Sequence, residues 1–226
     1  FSSKIISKFS AEKAKIITSF SMFYDLEDPI CFAKDIDASL AEDGLWIFEQ
    51  SYLPQMLKTN AFDTICHEHL LFYSLKQIDW ILLKANLKVI DVEFNDINGG
   101  SFSVTAAKIN SHYQPKTKHL ERIRNDELVY GLDSLEVFNN FKLNVDKNCS
   151  LLMKFLNEAK LKNKSVYGLG GSTKGNVLLQ YCGIDNTLIK AIGDVNEDKY
   201  GAYTPGTLIP LISEEEVLTK NPDYLL

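Results

Sequence analysis

The chain has 226 residues, 45% hydrophobic and 24% charged, with a formal net charge of -6. That length holds one large domain or two small ones, and the mildly acidic balance argues against the concentrated basic face of a nucleic-acid binder. No window approaches about 18 apolar residues, so no membrane-spanning helix is expected. The opening stretch FSSKIISKFSAEKAK lacks a signal peptide's apolar core.

Cys31, Cys66, Cys149 and Cys182 are far apart and form no CxxC pair. They read as reduced thiols of a cytoplasmic protein, not as a zinc ribbon or a disulfide scaffold. Both ends read as cut: the chain does not begin with Met, and Asp223-Tyr224-Leu225-Leu226 looks like a strand that stops as it opens.

The apolar, β-branched run 14–21 (AKIITSFS) predicts a buried parallel strand. After FYDLEDP, Asp28 as cap and Pro29 in the first turn predict a helix with Ile30, Phe32, Ala33, Ile36 and Leu40 on one face. Asp43-Gly44 is expected to end it, before a second buried strand at 45–48. Strand, helix, strand implies a parallel sheet. Residues 50–64 read as an irregular insert, and Ser74 as the cap of a helix reaching Asn86. The runs 87–94 and 101–107 flank Asn98-Gly99-Gly100, a turn signal for an antiparallel pair.

Residues 111–118 read as a polar linker and 132–161 as one or two bridging helices. A second α/β unit opens with the strand KSVYG at 164–168, the turn GLGGSTKGN and a helix ended by Cys182-Gly183. A strand at 188–195, a loop punctuated by Pro205, Gly206 and Pro210, and a helix start at Ser213-Glu214-Glu215-Glu216 follow.

Three places carry candidate chemistry. Gly170, Gly171, Ser172, Thr173, Lys174, Gly175 and Asn176 form a glycine-rich strand-to-helix turn, where backbone N–H groups, hydroxyls and a cation suit a phosphate. It is not a Walker loop, and it is an imperfect dinucleotide fingerprint with Asp194 near the acidic position. Next, Cys66-His67-Glu68-His69 follows the second strand. Consecutive donors rarely converge on one tetrahedral ion, so no metal is expected there. Two packed histidines and an acid/base pair remain the open readings. Finally, Ser19 and Phe20 through Tyr24 end the first strand, where an aromatic surface suits either adenine or the core.

FYDLEDP, DGLWIFEQSYLP, FDTICHEHLLFYSL, NGGSF, GGSTKGNVLLQYCGI and YTPGTLIP occur in this order across nearly the whole chain. The set resembles the S-adenosylmethionine-dependent C-methyltransferases of nucleotide-linked keto-deoxysugars. The resemblance implies an α/β fold: the second half of a Rossmann-like methyltransferase sheet (1–110), linker and bridging helices (111–163), and a smaller Rossmann-like lobe for the nucleotide sugar (164–226). It implies His69 as the base that forms a sugar enolate, Glu68 positioning it, and Tyr24 beside it. His67, Cys66, Asn98, Gly99, Gly100 and Ser101 would line the sugar cleft. Ser19 and Phe20 would touch the cofactor, whose main binding loop, with the family's zinc region, belongs to an N-terminal segment missing here or held on a separate chain. The family commonly has Tyr where Cys66 stands; a thiol donates poorly to an enolate. The runner-up readings are a nicotinamide-dependent nucleotide-sugar oxidoreductase and a non-catalytic nucleotide-sugar binding module.

Overall fold

The computed structural model describes residues 2–10 and 12–226. Phe1 and Ala11, both in the opening stretch judged for a signal peptide, lie outside them. The chain divides into two units, 1–61 with 67–139 and 62–66 with 140–226.

The first unit begins with α1 (Ser3–Phe9) and β1 (Ala14–Phe20). In α2 (Pro29–Ser39) the Asp28 carboxylate accepts the Cys31 N–H at 2.8 Å, and Pro29 needs no N–H partner in the first turn. β2 (Leu40–Ser51) starts earlier than the expected 45–48. Asp43-Gly44 does not stop the helix but bulges inside the strand, where pairing jumps from Ala14–Leu40 to Ile16–Leu45. A Cβ on Gly44 would lie 2.8 Å from the Ala14 carbonyl oxygen.

The insert is not irregular throughout. Tyr52 leads into α3 (Leu53–Thr59), with Pro54 in its first turn, and a 3-10 turn covers Phe62–Thr64. α4 (Leu75–Lys84) is started by Ser74, whose N–H donates to the Gln77 side chain at 3.0 Å. The hairpin β3 (Leu87–Asn95) and β4 (Ser101–Lys108) forms as expected, antiparallel, around Asn98, Gly99 and Gly100 at φ 56°, 83° and 123°.

The first sheet runs β1-β2-β4-β3, parallel between β1 and β2 and antiparallel onward. Trp46 stacks on Phe48 at 4.1 Å, and Phe23 meets them at 5.5 and 5.2 Å; these rings join Ile36, Leu75, Ile78 and Phe102 in the core. β1 is less buried than its composition suggested, with Ile16 64% exposed, because it is the outermost strand of this sheet. α5 (Thr117–Tyr130) was not foreseen and shortens the polar linker; α6 (Leu135–Leu161) follows, and the unit boundary falls within it.

In the second unit β5 (Val166–Leu169) is followed by α7 (Thr173–Cys182) and β6 (Ile192–Asp194). Leu188 and Ile189, expected in that strand, are buried in the loop before it. β7 (Leu211–Ser213), α8 (Glu214–Thr219) and β8 (Tyr224–Leu225) complete a parallel sheet of order β7-β6-β5-β8. Its core joins Leu156 and Ala159 of α6 to Val166, Leu179, Ile192 and Leu211. One expectation is corrected: Cys149 and Cys182 form a disulfide, with their Cα atoms 5.3 Å apart, while Cys31 and Cys66 are free. Among the described residues, no helix is long and apolar enough to cross a membrane.

Candidate active site

Within the first unit, register places the candidate residues at one edge of the sheet. Phe20, at the end of β1, pairs with Glu49, and Ser51, at the end of β2, pairs with Ser101 at the start of β4. The carboxyl ends of the parallel strands and the Asn98–Ser101 turn therefore share that edge, the side on which open α/β sheets bind ligands.

The His67-Glu68-His69 loop is fastened there at both sides of its C-terminal end. The Leu70 and Leu71 N–H groups both donate to the Tyr24 carbonyl, at 3.0 and 3.1 Å, and the Leu53 N–H donates to the Tyr73 carbonyl at 2.9 Å. The His69 ring packs on the Tyr24 ring with centroids 4.3 Å apart. His67 points outward, 84% exposed, with its Nε2 3.9 Å from the Glu68 carboxylate, whose side chain is itself 56% exposed. The loop thus separates its two histidines: one packed, one in solvent.

Asp25, which the sequence reading passed over, follows Tyr24 directly. Its carboxyl is held above the ordinary carboxylate value by burial, while the charge of His69 pulls it down and that of Glu68 pushes it up. The signal was available, because Asp25 lies inside the FYDLEDP stretch.

A cavity of about 490 Å³ opens at the same edge, lined by Tyr52, Lys58, Phe94, Ser101, Arg122 and Asp126. It combines two aromatic rings with two cations and two carboxylates, Asp96 and Asp126. Ser101 reaches it from a fixed position: its hydroxyl donates to the Ile97 carbonyl at 2.9 Å. Gly100 cannot be replaced cheaply, since a Cβ would lie 2.1 Å from Gln55 Cγ. Asn98 and Gly99 hold the left-handed turn.

Of the two expected cofactor contacts, Ser19 is buried and its hydroxyl accepts the Trp46 indole N–H at 3.1 Å. That hydroxyl serves the core. Phe20 is 56% exposed and offers an apolar face at the strand end. Of the two, Phe20 is the one with a surface left open to a ligand. For zinc, no group of three His, Cys, Asp or Glu is arranged to hold an ion among the described residues.

Cys66 belongs to the other unit, in the segment 62–66, where its N–H donates to the Thr64 carbonyl at 3.1 Å. So does the glycine loop. Gly170 turns at φ 85°, and the Ser172 hydroxyl caps α7 by accepting the Gly175 N–H at 3.0 Å. Thr173, Lys174, Gly175 and Asn176 form the first turn of α7; the Asn176 side-chain oxygen is buried without a partner. The Gly171 N–H, by contrast, is taken by Asp194 at 2.8 Å. Asp194 also receives the Asn196 N–H and the Lys199 ammonium, each at 2.8 Å. Lys199 and the Asn196 N–H hold its carboxyl below the ordinary range. Lys199 additionally donates to the Gly171 carbonyl at 3.0 Å. Asp194 and Lys199 brace the loop, and Lys199 had no signal in the sequence.

A family model and a curated relative point to one family. A model of the C-methyltransferase C-terminal domain matches residues 96–226, and a general methyltransferase-domain model matches residues 3–92. C-methyltransferase NovU of Streptomyces niveus is 30% identical over 94% of this chain and 50% of its own length, so the chain spans about half of that curated relative. Among solved structures, LepI in complex with SAM is 10% identical over 43% of this chain and 27% of its own, with a TM-score of 0.37. Magnesium protoporphyrin IX methyltransferase (ChlM) from Synechocystis PCC 6803 with bound SAH is 9% identical over 44% of this chain and 47% of its own, with a TM-score of 0.34. With the C-terminal domain model covering more than half of its residues, the chain belongs to the C-methyltransferase family.

Proposed function

We propose that the chain is part of an enzyme that moves a methyl group from S-adenosylmethionine to a carbon of a nucleotide-linked keto-deoxysugar. The observation that carries the reading is the His69 ring, held against Tyr24 at the carboxyl edge of β1 and β2. A carbon nucleophile must be made before it can accept a methyl group. His69 takes a proton from the carbon next to the sugar ketone, and the electrons of that C–H bond become the enolate. Ser101, Lys58, Arg122, Asp96 and Asp126, beside the aromatic rings of Tyr52 and Phe94, suit the hydroxyl groups of a sugar. S-adenosylmethionine, held beside Phe20, would supply an electrophilic methyl group. In the second unit, taken by itself, the N-terminus of α7 with Lys174 offers a separate place for an anion.

The nicotinamide reading is the weaker one, because the acid it would use, Asp194, is already bound to Gly171, Asn196 and Lys199. The test is His69→Ala in the full-length protein, with a thymidine-diphosphate keto-deoxysugar as substrate. Methyl transfer and exchange of the sugar's acidic proton with deuterated water should both disappear. Retained exchange would remove His69 as the base.

A further inference from the structure

The β3–β4 hairpin ends in a platform of rings. Phe94 pairs across the hairpin with Phe102, and the Tyr52 ring packs on both, with centroids 4.9 Å apart in each case. Tyr52 is held in place: it is buried, and its hydroxyl donates to the buried Glu127 carboxylate at 2.9 Å. Phe94 rests on this fixed ring and is still 48% exposed, so part of its apolar surface is open to the 490 Å³ cavity that it lines. That volume suits a small ligand.

The charges of the cavity say which kind. Lys58 and Arg122 are matched by Asp96 and Asp126, so the lining carries no net charge. None of the four is in an ion pair among the described residues. Lys58 lies over the Tyr130 ring at 5.0 Å, and Arg122 meets His119 Nδ1 at 3.4 Å. The larger cavity of about 650 Å³ lined by α4 and α5 differs, because its charges are closed on one another: Lys76 on Asp133 and Arg124 on Asp79, each at 2.7 Å. A phosphate calls for an excess of positive charge and N–H donors. A polyol both donates and accepts, and a neutral set of donors and acceptors answers it.

We propose that Phe94 is a specificity-determining residue: its ring stacks on the part of the sugar that lacks hydroxyl groups, while the four charged side chains bind the hydroxyls that remain. This rests on the reading of the substrate as a deoxysugar and names what recognises the missing oxygens. A deoxygenated position offers only C–H groups, which lose nothing against an aromatic face. A hydroxyl pressed onto the same face gives up its water with no partner in exchange.

The experiment compares the full-length wild type with Phe94→Ala, Phe94→Leu and Phe94→Tyr. The probes are the methyl glycosides of a 2,6-dideoxyhexose and of the fully hydroxylated hexose, titrated by saturation-transfer NMR. The wild type should bind the deoxy probe about tenfold more tightly, with the strongest transfer on the C–H groups of its deoxygenated positions. Phe94→Ala should abolish that preference. Phe94→Leu, which keeps apolar bulk in the strand without a flat face, should lose it too, and Phe94→Tyr should keep most of it. No preference in the wild type, an unchanged preference in Phe94→Ala or Phe94→Leu, or an equal loss in Phe94→Tyr overturns the proposal. With a thymidine-diphosphate keto-deoxysugar, Phe94→Ala should raise KM about tenfold and change kcat by about twofold or less. An unchanged KM overturns the platform and leaves the proposed reaction standing. If the wild type methylates no nucleotide-linked sugar, the proposed reaction fails, and the glycoside titration alone decides whether Phe94 selects a deoxysugar.

Discussion

Replacing Glu127 by alanine removes the acceptor on which the start of α4 depends. The Glu127 side chain reaches from α5 and is 5% exposed. Its Oε1 accepts the Tyr52 hydroxyl at 2.9 Å and the Leu75 N–H at 2.6 Å, and its Oε2 accepts the Lys76 N–H at 3.2 Å. Leu75 and Lys76 open α4, so the carboxylate also meets the positive end of the helix dipole. The Tyr52 and Leu75 donors are buried, while the Lys76 N–H is partly buried and can turn to water. Each buried donor left without an acceptor costs about 1–3 kcal/mol. Two of them give about 3–4 kcal/mol, within the range for breaking a buried charged network. Glu127→Gln keeps one accepting oxygen but turns an amide N–H toward a backbone N–H, and should cost about 1–2 kcal/mol. The assay is urea unfolding followed by tryptophan fluorescence. Both tryptophans, Trp46 and Trp80, lie in the same unit as Glu127, so the signal reports that unit. An alanine variant within about 1 kcal/mol of wild type at unchanged m would refute the reasoning.

The other expected outcomes concern the second unit. Asp223 is held down to about 2 by Lys164 and by the N–H and hydroxyl of Ser165. Its folded value lies below its ordinary 3.8, so its contribution is present above that pH and is lost as the pH falls toward 2. Protection of the Tyr224 and Leu226 amides, which bond to Ser165 and Tyr167, should fall over that window in the wild type and be low throughout in Asp223→Asn. Equal, pH-independent protection in both proteins would refute the link. The Cys149–Cys182 bond closes a separation of 33 residues, which by loop entropy corresponds to about 3–4 kcal/mol. A thiol reagent added to the denatured, unreduced protein should count two thiols, Cys31 and Cys66, and four after reduction; four without reductant would refute the pairing.

What could be read from the sequence was local. The Asp28 and Ser213 caps, the Asn98-Gly99-Gly100 turn and the Gly183 helix stop all act within a few residues, and each is found where the residues indicated. The misses are long-range. Nothing near Asp43-Gly44 says that the strand edge beside it, Ala14 with Ile16, will take up a bulge. Cys149 and Cys182 share no motif, and only the packing of α6 against α7 brings them together. α5 escaped because its apolar face is narrow: Leu120 and Ile123 are buried, while Leu128 and Val129 are exposed. Its buried Glu127 gains meaning only from Tyr52 and Leu75, which lie 75 and 52 residues away.

The same limit explains the site. His67-Glu68-His69 looked like a unit because its residues are adjacent, and adjacency suggested Glu68 as the partner of His69. In a turn, adjacent side chains diverge, and the structure shows it: Glu68 and His67 lie toward solvent while His69 turns onto Tyr24. The ring that His69 packs on comes from elsewhere in the chain, held there by backbone bonds such as those from Leu70 and Leu71 to the Tyr24 carbonyl. Those bonds join segments more than forty residues apart in sequence. A motif names candidate side chains; their neighbours have to be sought on whichever turn the motif's own backbone is tied to.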